Sequence, residues 1–190
     1  MAESGLDSLA ETHAITATWK AYELRPAEAP RPAPEEEARF RRYLKDGWPR
    51  VAAIAQERFG LTLQEPPYRP ELRTRLAHVA TKAAAALGQG DAFHRAVFRA
   101  YWFEGRDIGS AAVLAEIAAA IGLAPAAFEA ELADDVHRYA VTADQQWAYQ
   151  AGLSGVPAFI FGDRYLVSGA QPVELLRQVA DRCLAEGLTA

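Results

Sequence analysis

The sequence predicts a mixed α/β protein in which a long block of helices separates two short stretches of β character. Along most of the 190 residues the apolar side chains recur at helical spacing. Residues 15–22 instead alternate with a period of two, and residues 158–168 near the other end of the chain contain two short runs of β character around a tight turn. A lone strand and a lone hairpin are each marginal in water, so we expect them to share one sheet.

The elements are expected in the following order. A helix over residues 4–13 precedes the strand at 15–22, and four prolines make residues 26–34 a loop. Helices then follow at 35–59, 72–87, 92–103, 110–121 and 125–139, and the first of them should break or kink at Gly47-Trp48-Pro49. Thr142 is expected to cap a further helix that ends near residue 151. Residues 158–161 and 164–168 should form a hairpin around Gly162-Asp163, and Pro172 should open the last helix.

Composition excludes several classes of function. A formal net charge of −5 argues against a nucleic-acid partner, which usually meets a basic face. The sequence has no run of about 18 apolar residues, so we expect no membrane span. The acidic start MAESGLDSLAETH does not resemble a signal peptide, and Cys183 has no second cysteine to pair with. We therefore expect a cytoplasmic protein without an internal disulfide.

Val156-Pro157 is the motif most directly connected with chemistry. It follows Gly155 and lies between a predicted helix end and the first strand of the hairpin. Proline lowers the cost of a cis peptide to about 0.5–1 kcal/mol, and a cis bond here would turn the backbone of Val156 outward. An outward-facing backbone can pair with an extended peptide by strand addition. The alternative is a trans proline that merely begins an edge strand.

The runs LSGVPAFIF and YLVSGAQP resemble the C-terminal half of DsbA-family oxidoreductases, most closely the FrnE-like branch of dithiol–disulfide isomerases. The resemblance continues through WKAYELRP, RTRLAHVATKAAAALG and AYWFEGRDIGSAAVLAEIAAAIGL, in the same order along the chain. It implies a thioredoxin-like sheet formed by residues 1–34 and 142–190, interrupted by an inserted helical domain at 35–141. It also implies that Gly155, Val156 and Pro157 bind the substrate.

The same resemblance implies a Cys-x-x-Cys pair at the start of the first helix, where the helix N-terminus activates a thiol. This sequence contains no such pair, and Cys183 falls in the last helix. By position, the pair and the first strand of the sheet are expected upstream of Met1, so the family's catalytic cysteines are absent from the sequence as given. A sheet without that central strand should be weakly stable, or should exchange strands in a strand-swapped homodimer.

Three functions are compatible with these observations. The first is a thiol–disulfide oxidoreductase or isomerase that acts on protein or small-molecule disulfides. The second is a glutathione-dependent isomerase or transferase similar to the kappa class, and the third is a peptide-binding module without catalysis. An apolar groove beside Pro157 is expected to include the side chains of His78, Tyr101, Trp102 and Trp147, although ordinary core packing is the alternative for each. The four histidines show no metal-ligand spacing, so we expect neither a metal site nor any cofactor other than glutathione.

Overall fold

The computed structural model describes residues 2–26, 32–67 and 72–188. The elements in order are α1 (Ala2–Ala10), α2 (Pro34–Phe59), α3 (Arg75–Ala86), α4 (Gly90–Trp102), α5 (Ala111–Ala120), α6 (Pro125–Ala133), α7 (Asp135–Gln150), β1 (Ala158–Phe161), β2 (Tyr165–Ser168) and α8 (Val173–Ala185). Six of the eight helices begin and end within a few residues of their predicted limits, and the hairpin lies where it was predicted. The exceptions are α6, which ends at Ala133 instead of near residue 139, and α7, which begins at Asp135 instead of at Thr142. Part of the predicted loop at 26–34 lies outside the described residues, and so does Met1.

The helical block has its own apolar core, formed where α3, α4, α5 and α6 meet. Phe93, Leu114 and Phe128 are almost fully buried there, and the rings of Phe93 and Phe128 lie 5.4 Å apart. Four alanines of α3 also lie in this core, where their small side chains allow neighbouring helices to approach closely. No side chain of the hairpin belongs to this core.

A second core lies between the hairpin and the two terminal helices. Leu9 of α1 packs there with Phe161 and Val167 of the hairpin and with Leu176 and Cys183 of α8. The two strands are antiparallel, with Ala158 opposite Ser168 and Phe161 opposite Tyr165. The turn between them is tight because Gly162 and Asp163 both adopt left-handed backbone angles, with φ of 54° and 53°.

The predicted strand at residues 15–22 is wrong as a sheet element. In the described residues the sheet has two strands, both from the hairpin, and residues 14–23 run past the helices without regular secondary structure. The Ala21 N–H donates to Asp144 Oδ2 at 2.9 Å, and the Glu23 N–H donates to Gln145 Oε1 at 2.6 Å. Side chains of α7 thus take the place of a neighbouring strand, which satisfies these buried backbone groups equally well.

Two helix limits also differ from the prediction. Asp134, not Thr142, caps α7: its side chain accepts a hydrogen bond from the Val136 N–H at 2.9 Å. Thr142 lies inside that helix, where its hydroxyl donates back to the Arg138 carbonyl at 3.0 Å. Helix α2 continues through Pro49, so the predicted break at Gly47-Trp48-Pro49 is wrong, although proline removes one backbone hydrogen bond there. A kink at this point stays a prediction.

Within the described ranges, every helix is either too short or too polar to cross a membrane.

Candidate functional site

The end of α7 leads into a loop that forms one wall of an open cavity. Gly152 adopts a left-handed conformation with φ of 73°, and the Leu153 N–H returns to the Ala148 carbonyl at 2.9 Å, so the chain leaves the helix sharply. The loop then enters β1 through Val156-Pro157, whose peptide bond is cis. The Pro157 carbonyl accepts a hydrogen bond from the Gly169 N–H at 2.8 Å, which ties the start of β1 to the end of β2.

The cavity has a volume of about 270 Å³. Its walls are residues Gly152, Leu153, Ser154, Gly155, Val156 and Pro157 on one side and Leu166, Ser168 and Gly169 on the other. Val156 is 50% exposed and Leu166 is 49% exposed, so apolar side chains border the opening. Among the described residues, the structure records no hydrogen bond to the backbone of Val156. The opening therefore presents an unpaired N–H and C=O between two apolar side chains.

Sequence reasoning placed Gly155, Val156 and Pro157 together but missed the opposite wall. Alternation along β2 could have identified that wall, because Val167 is buried and its neighbours Leu166 and Ser168 point to the other face. The structure thus shows a cavity between the loop and the hairpin rather than a surface on the loop alone.

None of the four residues predicted for the apolar groove lines this cavity. Tyr101 and Trp102 lie at the C-terminal end of α4, where the two rings meet edge to face and Trp102 stacks on Trp48 of α2 with centroids 6.5 Å apart. Trp147 lies on α7 beneath the Lys20 ammonium, which is 5.5 Å from the ring centroid. Whether any of them contacts a substrate stays a prediction.

His78 lies on α3, facing the backbone of Tyr22. Burial lowers the pKa of His78 from 6.5 to about 4, although a hydrogen bond with the Tyr22 backbone acts in the opposite direction. The ring is therefore neutral at pH 7, as expected for a histidine that packs between helices. A neutral imidazole next to the 19–23 segment can position that segment but carries no charge toward a substrate.

A buried carboxylate that sequence reasoning missed holds the same segment in place. Asp144 accepts hydrogen bonds from Lys82 at 2.6 Å, Lys20 at 3.1 Å and the Ala21 N–H at 2.9 Å. Burial raises the pKa of Asp144, but the hydrogen bonds from Lys82, Ala21 and Lys20 outweigh it, and the pKa falls below its ordinary 3.8. Nothing in the local sequence distinguishes Asp144 from a solvated helix residue, because its partners come from two distant segments.

Cys183 is the one cysteine of the sequence, so its position decides whether this chain itself offers a reactive thiol. Cys183 lies on α8 in the core beneath the hairpin and is 0% exposed. Thiol–disulfide exchange requires an accessible thiolate, so Cys183 cannot attack a substrate in the cavity. In the described part of the chain, no cluster of three or more histidine, cysteine or carboxylate side chains could hold a metal ion.

Comparisons with known proteins place the chain in a family. The family profile of the DSBA-like thioredoxin domain matches residues 1–180. An uncharacterized protein of Bacillus subtilis, YwbO, is 28% identical over 161 residues, which are 82% of this chain and 76% of that protein. A probable DsbA oxidoreductase from Streptomyces coelicolor has a TM-score of 0.77 at 25% identity, covering 97% of this chain and 84% of that one.

Two further solved structures share the fold at lower identity. A 2-hydroxychromene-2-carboxylate isomerase has a TM-score of 0.73 at 22% identity, covering 98% of this chain and 90% of that one. The cytosolic disulfide reductase DsbM from Pseudomonas aeruginosa, solved with GSH, has a TM-score of 0.61 at 23% identity over 98% and 90% of the two chains. The profile match over nearly the whole sequence is decisive: this chain belongs to the DSBA-like thioredoxin domain family.

Proposed function

We propose that this protein is a thiol–disulfide oxidoreductase or isomerase of the FrnE-like kind and that it binds disulfide-containing substrates at Val156. The observation that carries the proposal is the unpaired backbone of Val156 at the mouth of the cavity. Membership of the DSBA-like thioredoxin domain family supports a role with disulfides, because solved structures with the same fold include a probable DsbA oxidoreductase and a cytosolic disulfide reductase.

The backbone of Val156 would hold an extended segment of the substrate by strand addition. Main-chain hydrogen bonds supply affinity that does not depend on the side chains of the substrate, so substrates of different sequence can bind. The exposed side chains of Val156 and Leu166 would cover the apolar part of that segment, and Gly155 leaves room beside them because a Cβ there would meet nothing within 4 Å. The disulfide would then lie over Pro157.

Cys183 is buried and cannot be the thiol that attacks the substrate. We propose the Cys-x-x-Cys pair expected ahead of Met1 as the source of that thiol. The first thiolate would attack one sulfur of the substrate and form a mixed disulfide, with the other substrate sulfur leaving as a thiolate. The second cysteine would then displace the remaining substrate thiolate, so that the pair is oxidised and the substrate reduced. Because the cavity is open, the proposal covers both protein disulfides and small-molecule disulfides.

A second candidate is a glutathione-dependent isomerase or transferase. Two observations favour it: the only thiol in the sequence is buried, and the fold is shared with an isomerase and with a reductase solved with GSH. In this case glutathione would occupy the cavity and supply the thiol. A cytoplasmic location, where glutathione is abundant and thiols stay reduced, suits both candidates and is part of the proposal.

Insulin reduction, activity with glutathione and binding of insulin peptides together separate these candidates. Three samples are compared: the chain as given, the chain with reduced glutathione, and a chain extended upstream through the expected Cys-x-x-Cys. Activity of the extended chain alone supports the first candidate, and conjugation or isomerase activity with glutathione supports the second. A chain that binds oxidised insulin peptides but is inactive in every sample is a peptide-binding module.

The binding site itself is tested with two substitutions at the cavity mouth. Val156→Asp and Leu166→Asp each place a charge where apolar contact is proposed, so affinity for an insulin-derived peptide should fall about tenfold. Val136→Asp is the matched control, because Val136 is 54% exposed and lies in the first turn of α7, away from the cavity walls. Equal affinity in all three variants would contradict the assignment of the site.

A further inference from the structure

Helix α2 is a projecting helix whose N-terminal half has little to pack against. Its 26 residues span about 39 Å, yet Ala55 is its only buried residue. The C-terminal half is anchored to the rest of the fold, because Trp48 stacks on Trp102 and, just after the helix, the Gln64 N–H donates to the Trp102 carbonyl at 2.8 Å. Residues 34–46 are exposed apart from Glu37.

The exposed half nevertheless carries an apolar stripe. Phe40, Leu44, Gly47 and Val51 follow the spacing of four, three and four residues that defines the contact line of a two-stranded coiled coil. Phe40 is 39% exposed, Leu44 is 42% exposed and Val51 is 37% exposed. Beside the stripe lies Tyr43, which is 71% exposed and stacks on Phe40 with centroids 6.4 Å apart. Such a stripe fits another helix better than it fits water.

The charges along α2 are complementary to a second copy of the same helix in antiparallel orientation. The first turn carries three carboxylates, Glu35, Glu36 and Glu37, and the following residues to Arg50 carry five cations and one carboxylate. A second α2 running antiparallel places the acidic turn of each copy against the basic stretch of the other. Antiparallel pairing also places the folded bodies at opposite ends, because each body is attached to the C-terminal half of its helix.

We propose that α2 is the interface of a homodimer in which two copies pair antiparallel around Tyr43. In this register Phe40 of one protomer packs against Leu44 of its partner, the two Tyr43 rings meet at the two-fold axis, and Glu36 faces Arg50 across the interface twice. Arg25, whose guanidinium lies 4.6 Å from the Phe40 ring centroid, borders the contact on one side. Gly47 leaves open space opposite Glu37, because a Cβ at Gly47 would meet nothing within 4 Å.

A two-helix contact is smaller than the roughly 800 Å² per partner of a standard interface, so the dimer should dissociate on dilution. Sedimentation velocity over a concentration series should show a reversible monomer–dimer equilibrium for the wild type. Tyr43→Glu should weaken it at least tenfold, whereas Ala38→Glu should leave it unchanged, because Ala38 is exposed on the opposite face of the same segment.

Charge reversal tests the register. Glu36→Arg and Arg50→Glu should each weaken the dimer, and the double variant should restore it, because each cross-protomer pair is then re-formed with exchanged signs. Under mild oxidation, Tyr43→Cys should give a disulfide-linked dimer and Ala38→Cys should not. Circular dichroism checks that α2 stays helical in every variant.

The proposal is overturned if the wild type remains monomeric at all concentrations, or if the double charge reversal fails to restore the dimer lost in the single variants. A dimer that persists in Tyr43→Glu would also overturn it and would point to strand exchange at the hairpin instead.

Discussion

Replacing Asp144 with alanine should destabilise the protein strongly, because this carboxylate holds residues 19–23 against the helices. The side chain of Asp144 is 7% exposed and accepts three hydrogen bonds, two from lysines and one from the buried Ala21 N–H. Leaving that N–H without a partner costs about 1–3 kcal/mol. Lys82 and Lys20 are 23% and 49% exposed, so water can solvate them and the lost ion pairs add less than in a fully buried triad.

We therefore expect Asp144→Ala to lower the free energy of unfolding by about 3 kcal/mol. Asp144→Asn should cost about half as much, because the amide oxygen can still accept from the Ala21 N–H. Urea denaturation at pH 7 measures both. The control is Asp181→Ala, since that carboxylate is 71% exposed, its ion-pair partner among the described residues is His13, and its loss should matter little.

The same prediction has a pH signature. The pKa of Asp144 is below 3.8 in the folded state, so the stabilisation by its ionised form is complete above pH 3.8 and is lost as pH falls through the lower, folded pKa. The difference between wild type and Asp144→Asn should be constant near neutral pH and should shrink in strong acid. An Asp144→Ala protein that unfolds at the same urea concentration as Asp181→Ala would refute the reasoning.

Three further predictions concern other parts of the molecule. His78 is neutral in the folded state down to about pH 4, against 6.5 when unfolded, so stability should fall by about 3 kcal/mol as pH drops through this window; urea titrations of His78→Gln should lack most of that fall. Gly90→Ala should destabilise by about 1–3 kcal/mol because a Cβ would lie 2.8 Å from a side chain of α3, whereas Gly47→Ala on open α2 should stabilise by up to about 1 kcal/mol in dilute samples. The hydrogen bond to Glu186 raises the pKa of Tyr165, so an ultraviolet titration of Glu186→Gln should show one tyrosine ionising at lower pH than in the wild type.

Most of the secondary structure follows from local chemistry. Helical spacing of apolar residues, glycines at helix ends and Gly162-Asp163 between two short β runs each depend on a few neighbouring residues, so they can be recognised without a structure. The resemblance carried by LSGVPAFIF and YLVSGAQP extended this to the family, which the profile match over residues 1–180 confirms. The same local information placed Gly155, Val156 and Pro157 in one loop.

What the sequence could not determine depends on contacts between distant segments. Residues 15–22 have the alternation of a strand, yet the backbone N–H groups of Ala21 and Glu23 donate to side chains of α7 instead of to a neighbouring strand. No local pattern predicts partners more than a hundred residues away. Asp134 caps α7 in place of Thr142 because both residues suit a cap and packing selects between them. The second wall of the cavity exists only because the hairpin folds Leu166 back beside Val156. Sequence alone therefore determined the elements and the family, and tertiary packing decided what pairs with each backbone group.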